Sequence, residues 1–147
     1  MATTAGQIMG ARGTDVATIG PGASLAEVAE VLDTRRIGAV VVVEADGRVV
    51  GIVSERDVVR HLAADGAECM HVSVGDAMTG AVTTCHASTT TDELMQVMTD
   101  GRFRHVPIVD DAGGLFGIVS IGDVVKSTIE RLQVEKETLT EYVTGGY

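Results

Sequence analysis

The chain has 147 residues, 45% of them hydrophobic and drawn mainly from Val, Ala, Ile, Leu and Met, with only 3% aromatics. That length suits one domain or two small halves fused into one unit, and the β-branched aliphatics favour buried strands with helices packed on them. A net charge of −10 excludes the positive footprint that nucleic acid requires and argues against an anionic membrane surface, so an anionic ligand must be met by local Arg, Lys and helix N-termini.

In chain order, the first nine residues carry no basic segment followed by an apolar core. No run approaches the roughly 20 apolar residues of a membrane span, so a cytoplasmic chain is the expectation. Val16–Ile19 reads as a short strand. Ser24-Leu25-Ala26-Glu27 fits a capping box, opening a helix with Leu25, Val28, Ala29 and Leu32 at helical spacing. The apolar run Ala39–Val43, a turn at Asp46-Gly47 and the run Val49–Val53 form a hairpin, and a helix starts near Glu55. The same order then recurs: a strand Val82–Cys85, a capping box Thr90–Glu93, Leu94, Met95 and Met98 on a helix, the run Val106–Val109, a turn at Gly113-Gly114, the strand Leu115–Val119, and a helix from Ile121. This last helix runs on beyond Lys126. Val125, Ile129, Leu132, Leu139 and Val143 are spaced 4, 3, 7 and 4, a heptad-like stripe interrupted at Lys136. The stripe either covers its own domain or meets another subunit.

The recurrence is a true internal repeat. Shifted by 66 residues, Val16–Arg60 lies over Val82–Lys126 without a gap. Gly51-Ile52-Val53-Ser54 matches Gly117-Ile118-Val119-Ser120, and Asp57-Val58-Val59 matches Asp123-Val124-Val125. Upstream, Gln7-Ile8-Met9 corresponds to Asp76-Ala77-Met78 with a three-residue insertion in the first copy. The division expected is a first repeat with its lead-in at 1–70, a second at 71–130, and a helical extension at 131–147. A unit of about 60 residues is marginal alone. The fold expected is therefore α/β (α+β): two β-α-β-β-α units packed through their sheets about a pseudo-twofold axis, with two quasi-equivalent clefts.

Both copies carry G-h-x-S-x-x-D at a strand-to-helix junction: Gly51 to Asp57 and Gly117 to Asp123. Such a junction presents a hydroxyl and helix N–H groups to phosphate oxygens, while the Asp can accept two hydrogen bonds from a ribose diol. Ser at an N-cap and Asp in a first turn are equally ordinary helix stabilisers. The occurrence of the motif at matching positions of both copies favours the binding role.

With these motifs, the lead-in Val74-Gly75-Asp76-Ala77-Met78 and the segment Arg104–Val109, the chain resembles the CBS (cystathionine-β-synthase-type) domain family over residues 6–130, most nearly the stand-alone bacterial CBS-pair type. The resemblance implies a regulatory pair, often a homodimer, that binds an adenosine nucleotide (AMP, ADP, ATP or NAD(H)) and signals energy or redox status to a protein effector. It places Asp57 and Asp123 on the ribose and Ser54 and Ser120 by the phosphate. Ile37, Gly38, Ala39 and Val40, with Phe103, Arg104, His105, Val106 and Pro107, would sandwich the adenine. Arg56 stands where the second copy has Gly122, and Arg104 and His105 stand where the first has Gly38 and Ala39. These are the charges best suited to clamp a phosphate, and their uneven distribution predicts unequal sites. Thr18 and Thr84 recur by the first strand and are further candidates to reach the ligand.

Catalysis finds no support. His61, His71, His86 and His105 form no HExxH, no Cys/His cluster has zinc spacing, and no GxSxG, Walker A or GxGxxG element follows a strand. Inosine-monophosphate dehydrogenase carries an inserted CBS pair, but its barrel needs about 250 residues. The expectation is thus no catalytic residue, no metal and no required cofactor. Two other readings stand: a nucleotide-independent assembly module, and a redox or metal sensor built on Cys69 and Cys85.

Overall fold

The structure, a computed structural model, describes residues 3–12 and 16–145. The described residues form two small sheets, six α-helices and one 3₁₀ segment. The first repeat holds β1 (Thr18–Ile19), α2 (Leu25–Arg35), β2 (Ala39–Val43), β3 (Val49–Ser54) and α3 (Glu55–Asp65), preceded by α1 (Ala5–Arg12). A 3₁₀ segment, Gly66–His71, leads to α4 (Val74–Ala77). The second repeat holds α5 (Thr91–Gly101), β4 (His105–Val109), β5 (Leu115–Ser120) and α6 (Ile121–Gly145).

Local chemistry sets the helix boundaries alike in both copies. The Ser24 N–H donates to Glu27 Oε2 (2.9 Å) and the Glu27 N–H to Ser24 Oγ (3.2 Å). Thr90 and Glu93 repeat the exchange at 3.1 and 3.2 Å, so each capping box satisfies two otherwise orphaned donors. At the other ends Arg36 and Arg102 adopt left-handed conformations, φ 54° and 57°. Arginine pays for this geometry where glycine would not. The hairpins turn at Gly47 and Gly113, with φ of 87° and 85°, and both carry a register shift, between Val42 and Val43 and between Ile108 and Val109.

The expected first strands are corrected. Val16 and Ala17 lie outside β1, although the Val41 N–H still donates to the Ala17 carbonyl. Val82–Cys85 is not a strand: only Cys85 pairs, in parallel with Ile108. β-propensity in Val82-Thr83-Thr84 does not prevail: Thr83 and Thr84 are exposed, with no ladder to bury them.

Each repeat has its own core. Leu25, Val28, Leu32, Val40, Val42, Val53 and Cys69 form one with Val74 and Ala77 of α4. Cys85, Leu94, Met98, Val106, Ile108, Val119 and Val124 form the other with Ala5 and Met9 of α1. The lead-ins are therefore exchanged: each helix covers the opposite repeat. Backbone bonds fix the exchange, from Ala5 N–H to Thr89 O (2.8 Å), Gly6 N–H to Ala87 O (2.8 Å), Leu25 N–H to Val72 O (2.9 Å) and Val74 N–H to Ala23 O (2.7 Å). Met78 lies against Gly51 of β3 and Met9 against Gly117 of β5, so close that a Cβ at either glycine would collide with the thioether chain. Arg48 also bridges Gly114 between the two hairpins. α6 is one continuous helix of 25 residues whose first half packs on α5 and β5.

Candidate functional site

The motif serines end β3 and β5 and cap α3 and α6. The Ser54 N–H and hydroxyl both donate to Asp57 Oδ2 (2.8 and 3.0 Å), and the Asp57 N–H returns to Ser54 Oγ (3.3 Å). Ser120 and Asp123 repeat this at 2.9, 3.0 and 3.2 Å. The second oxygen of Asp57 accepts from Arg60 Nη2 at 2.6 Å. Asp57 is one of two buried polar residues among those described, at 6% exposure, and it tolerates burial because both oxygens are engaged. The Glu55 N–H donates to the Gly38 carbonyl (2.9 Å), and the Ile121 N–H to the Arg104 carbonyl (2.8 Å). In α3 this leaves the Arg56 N–H as the first-turn donor still able to take an anion.

Beside this junction lies an open cleft of about 230 Å³. Gly38, Ile52, Ser54, Arg56, Asp57 and Arg60 of the first repeat form one wall, and Thr79, Ala81, Val82, Thr83, Arg102, Phe103, Arg104 and His105 of the second form the other. The two clamps that the sequence assigned to different copies, Arg56 and Arg104 with His105, thus face one cleft. Its four arginines concentrate positive charge in a chain of net charge −10. The imidazole of His105 reaches over Gly38, where even a methyl group would sit 3.2 Å from Cε1. Burial, then the neighbouring Arg104 cation, lower the His105 pKa, with Glu55 and Asp123 pulling the other way. Burial and the Arg104 cation thus disfavour the protonated form of His105 in the cleft.

Of the other candidates, Val40 and Val106 are buried in the two cores, and Ala39 and Pro107 are buried within β2 and β4. Ile37 packs beneath the first core. Thr18 and Thr84 are exposed and do not line the cleft. Ser120 and Asp123 belong to the opposite junction, where Asp123 borders a shallow groove with Thr3, Gln7, Ile8 and Lys126. The first-copy counterpart of the Thr79–Thr83 wall includes residues 13–15, outside those described. The residues that sequence reasoning missed are Ile52, Arg60, Arg102 and the Thr79–Thr83 wall. Arg60 left a trace, since a cation recurs three residues after the motif Asp as Lys126.

Cys69 and Cys85 are free, buried thiols in different cores. Burial pushes the Cys85 thiol up to about 11, against a hydrogen bond with Thr89, which suppresses the reactive thiolate. No helix among the described residues is long and apolar enough to cross a membrane.

Comparison with known proteins gives a consistent picture. The model of the CBS domain matches twice, over residues 5–64 and 74–130. The crystal structure of the CBS-domain containing protein ATU1752 from Agrobacterium tumefaciens is 50% identical, with a TM-score of 0.82 over 87% of this chain and 95% of that one. The mitochondrial CBS domain-containing protein CBSX3 of Arabidopsis thaliana is 38% identical over 115 residues, 76% of this chain; the chain spans about half (55%) of that relative's length. The CBS domain pair of protein MJ0100, solved in complex with 5′-methylthioadenosine and S-adenosyl-L-methionine, is 25% identical with a TM-score of 0.77, over 86% of this chain and 99% of that one.

Proposed function

The chain belongs to the CBS-domain family, and we propose that it is a regulatory adenosine-nucleotide-binding module whose ligand sits in the cleft between Ser54-Asp57 and Phe103–His105. The observation that carries this reading is the convergence of the motif Ser and Asp with Arg56, Arg60, Arg102 and Arg104 in one cleft. A ribose diol would take over Asp57 Oδ1 from Arg60. The freed guanidinium, the Arg56 side chain and the Arg56 N–H would then meet a phosphate. Phe103 and Ile52 supply apolar faces for a base. Four arginines favour a phosphorylated ligand (AMP, ADP, ATP or NAD(H)) over a neutral nucleoside, and the adenosine ligands held by the MJ0100 pair support the nucleoside part. Signalling of energy or redox status to a protein effector, without catalysis by this chain, completes the reading.

Thermal unfolding with a panel of adenosine compounds tests it. A ligand at 100 times its Kd adds about 2.7 kcal/mol, or roughly 5–10 °C for a chain this size. If no adenosine compound shifts the Tm, the reading fails. One observation favours a nucleotide-independent assembly module: both motif Asp residues already serve as caps, so the junctions are stable without ligand. A flat panel selects that alternative.

A further inference from the structure

His105 stands where the cleft, the two repeats and the two motif helices meet. Its backbone pairs with Ser120 in the second repeat, and the carbonyl before it, that of Arg104, takes the Ile121 N–H at the start of α6. Its imidazole crosses to the first repeat. A Cβ on Gly38 would lie 3.2 Å from its Cε1, 3.3 Å from its Nε2 and 3.6 Å from Glu55 Oε1. The Gly38 carbonyl in turn takes the Glu55 N–H, so the ring sits beside the first turn of α3, one residue from the Arg56 N–H. The first copy has Ala39 at the matching position, so this crossing group belongs to one side of the pair.

The charged groups acting on the ring come from three elements: Glu55 on α3, Asp123 on α6, and Arg104 beside it in the chain. Arg56, Arg60 and Arg102 line the same cleft, whose Asp57 is already held by Ser54 and Arg60. Burial and Arg104 outweigh the two facing carboxylates, so the protonated ring is disfavoured. A phosphate in the cleft reverses that balance. Its charge of about −1.5 to −2 offsets the arginines and the N-terminus of α3, and its oxygens accept from an imidazolium N–H. On the reading that the cleft holds a phosphorylated adenosine, we propose that His105 takes up a proton when the phosphate binds, so that acidification favours AMP over adenosine through this one ring. The coupling is reciprocal: the factor by which phosphate strengthens proton binding is the factor by which the proton strengthens phosphate binding. Its sign follows from the proton count. The complex holds more protons at this ring than the free chain, so affinity for phosphate rises as pH falls and levels off once the free ring is also protonated.

Proton NMR of the full native chain tests this by following the four imidazoles between about pH 5 and 8, with the chain alone and saturated with AMP or adenosine. His61, His71 and His86 do not line the cleft, and their Gln variants assign the His105 signal by elimination, with no substitution in the cleft. AMP is expected to raise the His105 titration midpoint by about one unit, and adenosine to leave it in place or lower it. A midpoint that AMP does not raise, or that adenosine raises equally, overturns the proposal and leaves the cleft assignment standing. If neither AMP nor ATP binds, the cleft assignment falls and the proposal with it. Calorimetry gives a second measurement. The AMP affinity of the native chain relative to His105→Gln should grow severalfold from pH 7.5 to 5.5, towards the roughly tenfold limit that one unit sets. The phosphate's own titration near pH 6 cancels in that ratio, and a ratio constant with pH refutes the coupling.

Discussion

Replacing Arg60 by Gln separates the two jobs that the cleft geometry gives this residue. Its guanidinium holds Asp57 Oδ1 at 2.6 Å. The pair joins an Arg side chain 62% exposed to an Asp side chain 9% exposed, so solvent screening limits it to about 0.5–1 kcal/mol. A neutral nucleoside must break that pair, its ribose taking Asp57 Oδ1 in both proteins while the Arg60 guanidinium receives no anion in exchange. Adenosine should therefore bind Arg60→Gln about two- to fivefold more tightly than the native chain. AMP breaks the same pair but offers its phosphate to the released guanidinium, a charge-assisted bond worth about 1.5 kcal/mol, or about tenfold. Losing that bond outweighs the gain, and AMP should bind the variant about two- to fivefold more weakly. The AMP-to-adenosine affinity ratio thus falls about tenfold. Isothermal titration calorimetry of both ligands on both proteins measures it. If adenosine weakens along with AMP, or the ratio stays fixed, Arg60 is only a helix-surface residue and the reasoning is wrong.

His105 predicts a pH dependence of folding. Its folded pKa lies below the unfolded value of about 6.5, so the unfolded chain binds more protons as pH falls through 6.5. Stability is fully present above that pH and declines below it until the folded group also protonates; urea unfolding of His105→Gln between pH 7.5 and 5.5 should show a flatter decline, and parallel curves would exclude His105 as the source. At the exchanged lead-in, Gly51→Ala drives a methyl into Met78 and should cost about 1–3 kcal/mol. Adding Met78→Ala removes the collision, so the double variant should be more stable than the sum of the single losses by about 1 kcal/mol or more; strict additivity in denaturant titrations would mean that Met78 does not lie on Gly51 in solution.

The repeat, the capping boxes and the hairpins were legible because each rests on a short-range rule. Ser24 with Glu27 and Thr90 with Glu93 are three residues apart, and Gly47 and Gly113 sit where a turn needs positive φ. The same holds for the motif residues Ser54 and Asp57, whose mutual bonds are local. What sequence reasoning could not see is long-range. Nothing in Ala5–Arg12 says that this helix covers the second repeat, or that α4 covers the first. That exchange brings Thr79–Thr83 to Ile52 and carries Arg104 and His105 to Gly38, so two half-sites on different copies become one cleft. The lowered pKa of His105 was hidden for the same reason, since its burial and the opposing carboxylates of Glu55 and Asp123 come from three separate elements.

The exchanged lead-ins also impose an order on synthesis. α4 emerges after the first repeat and can fold straight back onto Leu25 and Val53, closing that core while the chain is still growing. α1 has no such opportunity. Ala5 and Met9 are made well before their seat on Leu94, Val106 and Val119. At about 5–20 residues per second, the ~110 residues between Met9 and Val119 keep the N-terminal segment waiting for roughly 5–20 s. The first core can therefore close before the second, which closes only when α1 meets the later residues it covers. A bulky fusion ahead of Ala5 would hinder that meeting, whereas the same fusion after Gly145 would leave it untouched.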